Sequence, residues 1–209
     1  MSQIVACRTD TGIILAADSN AFDVNLKNEI FEVQINPMLQ LTSNTAIVTG
    51  GAPEGETMCR SLKDFITGEH LTAIDEVYKA ALPFLASEYE KFIKKKCAFL
   101  PVDPIHQVFF ILGGYSQNKT PSPFQLYLLW TKMKLPQLAA DEISSAYTVP
   151  RLIRLEYRLN QLSKANRPLQ DILTEIRCHL EQQAQTRDEI SGPFSYAVID
   201  RDGFKKIEP

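Results

Sequence analysis

Residues 1–18, MSQIVACRTDTGIILAAD, decide how the rest of the chain is read. Ile4 and Val5 open an apolar run, and Thr9-Asp10-Thr11-Gly12 has turn chemistry, with Gly12 able to take a positive φ. Ile13–Ala17 form a second apolar run, which Asp18 closes. The pattern predicts two short strands joined by a tight turn. On this reading the chain is expected to start on the first strand with no leader, and its second residue is a serine. Initiator methionine is normally removed ahead of a small residue, which would leave Ser2 with a hydroxyl and a free α-amine. An α-amine titrates near ~7.7–8.0, so much of it is neutral base at physiological pH. One residue would then supply both nucleophile and general base.

Bulk properties narrow the function classes. At 209 residues the chain reads as one domain, 1–209, large enough for a substantial core. A net charge of −3 leaves no basic footprint, so nucleic acid is not expected as a partner. Cys7, Cys59, Cys97 and Cys178 are widely spaced with no CxxC pair, and read as reduced core residues of a cytoplasmic protein. No metal site is expected, and the scattered His70, His106 and His179 do not suggest a Ser-His-Asp triad. No apolar stretch is long enough to span a bilayer, so no membrane is expected. No cofactor motif is present.

Outward from the opening stretch, Met38–Leu41 and Thr45–Thr49 read as a second hairpin ending in Gly50-Gly51. A glycine there permits close backbone approach, and its N–H can serve as an oxyanion donor. Pro53 to Thr67 reads as a helix stopped by Gly68. A second helix follows Thr72, with Ile74, Val77, Ala81, Leu85, Tyr89 and Phe92 on one face. His106–Leu112 and Phe124–Trp130 are apolar at nearly every position, as suits a sheet covered on both faces. Helices are predicted after Pro150 and Pro168, then strands at Phe194–Asp200 and Phe204–Ile207. The predicted order is four strands, two helices, two strands, two helices, two strands, an α+β arrangement with antiparallel sheets.

The segment IVACRTDTGIILAADSNAF resembles the opening of proteasome β-type subunits and of the bacterial peptidase HslV, members of the N-terminal nucleophile hydrolase superfamily. The resemblance implies a four-layer αββα sandwich of two antiparallel sheets with outer helix pairs. It implies Ser2 as nucleophile, Asp18 as the acid ending the second strand, and Gly50 as oxyanion donor. Asp188-Glu189-Ile190-Ser191-Gly192 fits the family's D-x-x-S-G segment, so Asp188 and Ser191 are candidates to hold the α-amine. Ser145, in Ser144-Ser145-Ala146, matches the family's serine ahead of the third helix. The implied activity is that of a peptidase or amidohydrolase acting on a peptide or amide carbonyl. The implied assembly is a homo-oligomer of stacked rings, with an ATP-dependent unfoldase as a partner the sequence does not identify.

One family feature is missing. The lysine that Asp18 would position beside the nucleophile has no counterpart: Lys27 is followed by no lysine until Lys63, and Arg60 lies in a different element. Counting back from Gly50 puts the position near Pro37, with Gln34 and Asn36 as polar neighbours. A weak nucleophile without a nearby cation loses its main electrostatic activation. The alternative reading is therefore an inactive structural or binding subunit of a ring assembly.

Overall fold

A computed structural model describes residues 3–25, 29–96, 103–117, 122–132, 137–187 and 190–208. In chain order these form β1 (Ile4–Arg8), β2 (Ile13–Ala17), β3 (Asn20–Val24), β4 (Ile30–Gln34), β5 (Met38–Thr42) and β6 (Thr45–Gly51). Helices α1 (Glu54–Gly68) and α2 (Ile74–Lys96) follow, then β7 (Val108–Tyr115), β8 (Phe124–Thr131), β9 (Leu138–Glu142) and β10 (Ala146–Val149). The chain closes with α3 (Ile153–Lys164), α4 (Leu169–Thr186), β11 (Ser195–Asp200) and β12 (Gly203–Ile207).

The described strands form three antiparallel sheets: β10-β1-β2-β11-β12, β5-β6-β7-β8-β9, and a separate β3-β4 ribbon. This corrects the expected two-sheet, four-layer αββα sandwich. Among the described residues twelve strands are present where the sequence pattern predicted eight, and the β3–β4 ribbon pairs with neither five-stranded sheet. The extra strands are short and lack a clear apolar alternation. The Leu-Ala-Ala-Asp-Glu run of β9 is poor in strand-favouring residues, and β10 ends against Pro150.

Period-two alternation sorts the core. From β1 and β2, Ile4, Ala6, Ile13, Leu15 and Ala17 face the second large sheet, where they meet Val48, Ile111 and Leu126. Their neighbours Val5, Cys7, Ile14 and Ala16 face the other way, against Leu155, Leu159, Ile172 and Ile176 of α3 and α4. On the second sheet, Ile47, Phe110, Leu112 and Leu129 pack with Leu62, Val77 and Leu85 of α1 and α2. Residues covered on both faces explain why these strands read as unbroken apolar runs. Cys7 and Cys59 are buried with their thiols pushed up by burial, Cys7 to about 12, whereas Cys178 is exposed and corrects its assignment to the core. Among the described residues no helix is long and apolar enough to cross a membrane.

Candidate functional site

At one end of the first sheet the polar residues Gln3, Asp18, Ser19 and Asn20 are all buried. The β1–β2 register, Ile4 opposite Ala17, places Gln3 across from Asp18. The Gln3 N–H donates to Asp18 Oδ1 at 2.9 Å, and the Asp18 N–H donates back to the Gln3 carbonyl at 3.2 Å. Asp18 Oδ2 and Gln3 Oε1 are buried acceptors with no hydrogen-bond donor among the described residues. Burial pushes the Asp18 carboxyl up to about 7, helped by the Glu32 carboxylate and opposed by the Gln3 N–H. Among the described residues, no lysine, arginine or histidine forms an ion pair with it.

Beyond Asp18 the chain enters the ribbon through a side-chain network. The Ser19 hydroxyl donates to Gln34 Oε1 at 2.7 Å, and the Gln34 amide in turn donates to Asn20 Oδ1. Asn20 Nδ2 donates to Ser191 Oγ at 2.5 Å. The β11–β2 register, Ser195 opposite Ala17, brings the segment carrying Ser191 to this end. Ser191 therefore lies at this end of the sheet, where its described partner is Asn20. Gln34, expected near the missing cation, is bound into the network as a neutral group.

Two backbone hydrogen bonds carry the site to the second sheet. The Ile35 N–H donates to the Ser19 carbonyl and the Thr49 N–H to the Pro37 carbonyl, each at 2.8 Å. Since Thr49 faces β5, alternation turns the Gly50 N–H toward β7, where Gly50 sits opposite Phe109. The Gly51 N–H points to the opposite edge, beyond Met38–Val48, the last β5–β6 pair toward that end. Gly50, the expected oxyanion donor, thus has its N–H directed into the sheet, and the Gly51 N–H is the one directed to the open edge. The backbone there is left-handed at φ 93°, and a Cβ would lie 2.2 Å from the Gln107 carbonyl oxygen, so only glycine fits.

Ser145 is not brought to this end. The Arg8 N–H donates to the Ser145 carbonyl at 3.1 Å, and β10 runs antiparallel to β1 with Val149 opposite Ile4. Ser145 therefore lies a strand's length away, about 17 Å at ~3.3 Å per residue. The β10 residues that do reach the site are Val149 and Pro150, whose carbonyls accept from Gln3 Nε2 at 3.2 and 3.3 Å. Ser2 and Asp188 lie outside the described residues. Sequence reasoning missed Gln3, Ser19 and Asn20, and named Gln34 only as a polar neighbour of the missing cation. The legible signal was the abrupt change from apolar Ile13–Ala17 to polar Asp18-Ser19-Asn20.

No protein-family model matches the chain, and no curated protein matches it.

Proposed function

We propose that the protein is an N-terminal nucleophile amide hydrolase, a peptidase or amidohydrolase that uses Ser2 after removal of Met1. The observation that supports this reading is Asp18: buried, anchored through Oδ1 to the start of β1, and offering Oδ2 with no donor among the described residues. A buried carboxylate with an open oxygen calls for a cation, and the ammonium of a residue next to Gln3 has the chemistry to supply it. In its neutral form that amine takes the Ser2 hydroxyl proton as the oxygen attacks an amide carbonyl. The Gly51 N–H would stabilise the resulting oxyanion. The proton then passes to the departing amine, leaving an ester on Ser2. Water attacks the ester, and the carboxylic acid departs as the hydroxyl is restored. The reading includes a cytoplasmic location and a homo-oligomeric ring.

A specific observation favours a second reading. Asp18 has no Lys, Arg or His ion-pair partner among the described residues, and Gln34 is engaged by Ser19 and Asn20. A site left uncharged suits a structural or binding subunit that performs no hydrolysis. Turnover of a fluorogenic peptide-amide library separates the two. The hydrolase reading expects release of fluorophore that Ser2→Ala abolishes; no release from folded protein with Met1 removed favours the structural subunit.

A further inference from the structure

Among the described residues the exposed large apolar side chains are Ile30 (67%), Phe31 (44%), Ile153 (74%) and Tyr157 (65%). Ile153 and Tyr157 lie on the outward face of α3, and Ile30 lies on the face of the β3–β4 ribbon that carries Val24 and Phe22, with Phe31 on the opposite face. We propose that these surfaces dock on one another between two copies of this chain.

The ribbon pairs with neither large sheet, and an isolated two-stranded ribbon is marginal in water. Val24 opposes Ile30 and Phe22 opposes Glu32, so one face carries an apolar strip bordered by an acid. On α3, Ile153 and Tyr157 stand one turn apart and form a matching apolar strip. The charges are complementary. Glu29 and Glu32 on the ribbon are exposed with no ion pair among the described residues, and so are Arg154 and Lys164 on α3. Arg158 is different, being paired with Glu175. An acidic apolar ribbon therefore fits a basic apolar helix face, and one chain carries both.

Placement permits a reciprocal contact. The ribbon leaves the first sheet directly after Asp18, and α3 starts just after Val149 and Pro150, which Gln3 binds. Both surfaces thus flank the same end of the sheet. A two-fold axis lets each copy give its ribbon and receive its partner's. This proposal does not rest on the hydrolase reading, and its test measures association alone.

Sedimentation equilibrium of the full chain over a wide concentration range should show self-association. Tyr157→Glu and Ile30→Glu should each weaken it about tenfold or more, with circular dichroism unchanged because both positions are exposed. Glu32→Arg and Arg154→Glu should each weaken assembly singly and restore it when combined across the interface. A monomeric wild-type chain, an assembly unmoved by these variants, or a charge-swapped pair that stays dissociated would overturn the proposal.

Discussion

Gln3 and Asp18 clasp each other across the β1–β2 ladder. Each backbone N–H reaches the other residue, at 2.9 Å to the Asp18 carboxylate and 3.2 Å to the Gln3 carbonyl. This fixes a buried acid at the point where the chain begins its first strand. One carboxylate oxygen is satisfied and the other is not. The asymmetry makes Asp18 a receptor for a donor, and it gives the acid a measurable signature.

That signature is pH-dependent stability. Burial pushes the Asp18 carboxyl up to about 7, above the ~3.9 of an unfolded chain. The native state then holds the proton more tightly than the unfolded state between those values. Its stabilising contribution is complete below about pH 4 and is lost as pH rises toward about 7, by at most about 1.4 kcal/mol per pH unit. Denaturant unfolding across this range should show stability falling relative to Asp18→Asn, in which the slope is absent. A cation at Oδ2 would lower the carboxyl and flatten the wild-type curve. Parallel curves for wild type and variant would mean that a cation, such as the Ser2 ammonium of the hydrolase reading, occupies Oδ2.

The Ser19–Gln34–Asn20–Ser191 network ties the ribbon to the segment ahead of β11. Asn20 is fully buried and bonds to both Gln34 and Ser191. Asn20→Ala should cost about 1–3 kcal/mol, the range for leaving buried polar partners unsatisfied. Hydrogen exchange should show faster opening of β3 and β4, with β1 and β2 little changed. Equal acceleration throughout would mean that the network does not anchor the ribbon.

Glu156 anchors the junction between β10 and α3. It accepts from the Thr148 N–H at 3.0 Å, the Thr148 hydroxyl at 2.7 Å, and Arg151 Nε and Nη2 at 2.7 and 2.5 Å. Burial alone would raise its carboxyl, but the donors from Arg151 and Thr148 together outweigh it and hold the group below its usual range. Its stabilisation is therefore present above the unfolded value near ~4.3 and is lost as pH falls through the native one. Glu156→Ala should cost about 2–4 kcal/mol at neutral pH, through the buried Thr148 donors it strands. Glu156→Gln should lose less and should weaken the acid dependence seen by thermal unfolding.

Much of the layout was legible where patterns were strong. The apolar runs of β1, β2, β7 and β8 and the periodicity of α1 and α2 follow from residues buried on a continuous face. The β3–β4 ribbon was not legible, because Ile30, Phe31 and Glu32 face solvent and show no apolar alternation. Asp18 could be singled out because it closes an apolar strand. The place of Ser145 at the Arg8 end was not legible in the sequence, since only the pairing of Val149 with Ile4 reveals it. The directions of the Gly50 and Gly51 N–H groups likewise needed the Thr49–Pro37 hydrogen bond, which fixes the phase of β6.

The most direct test of the central claim is the intact mass of the native protein after exposure to a β-lactone or peptide epoxyketone. The hydrolase reading expects a chain lacking Met1 that carries one probe molecule, with the adduct absent from Ser2→Ala and weakened in Asp18→Asn. A folded chain that keeps Met1 and takes up no probe would contradict it.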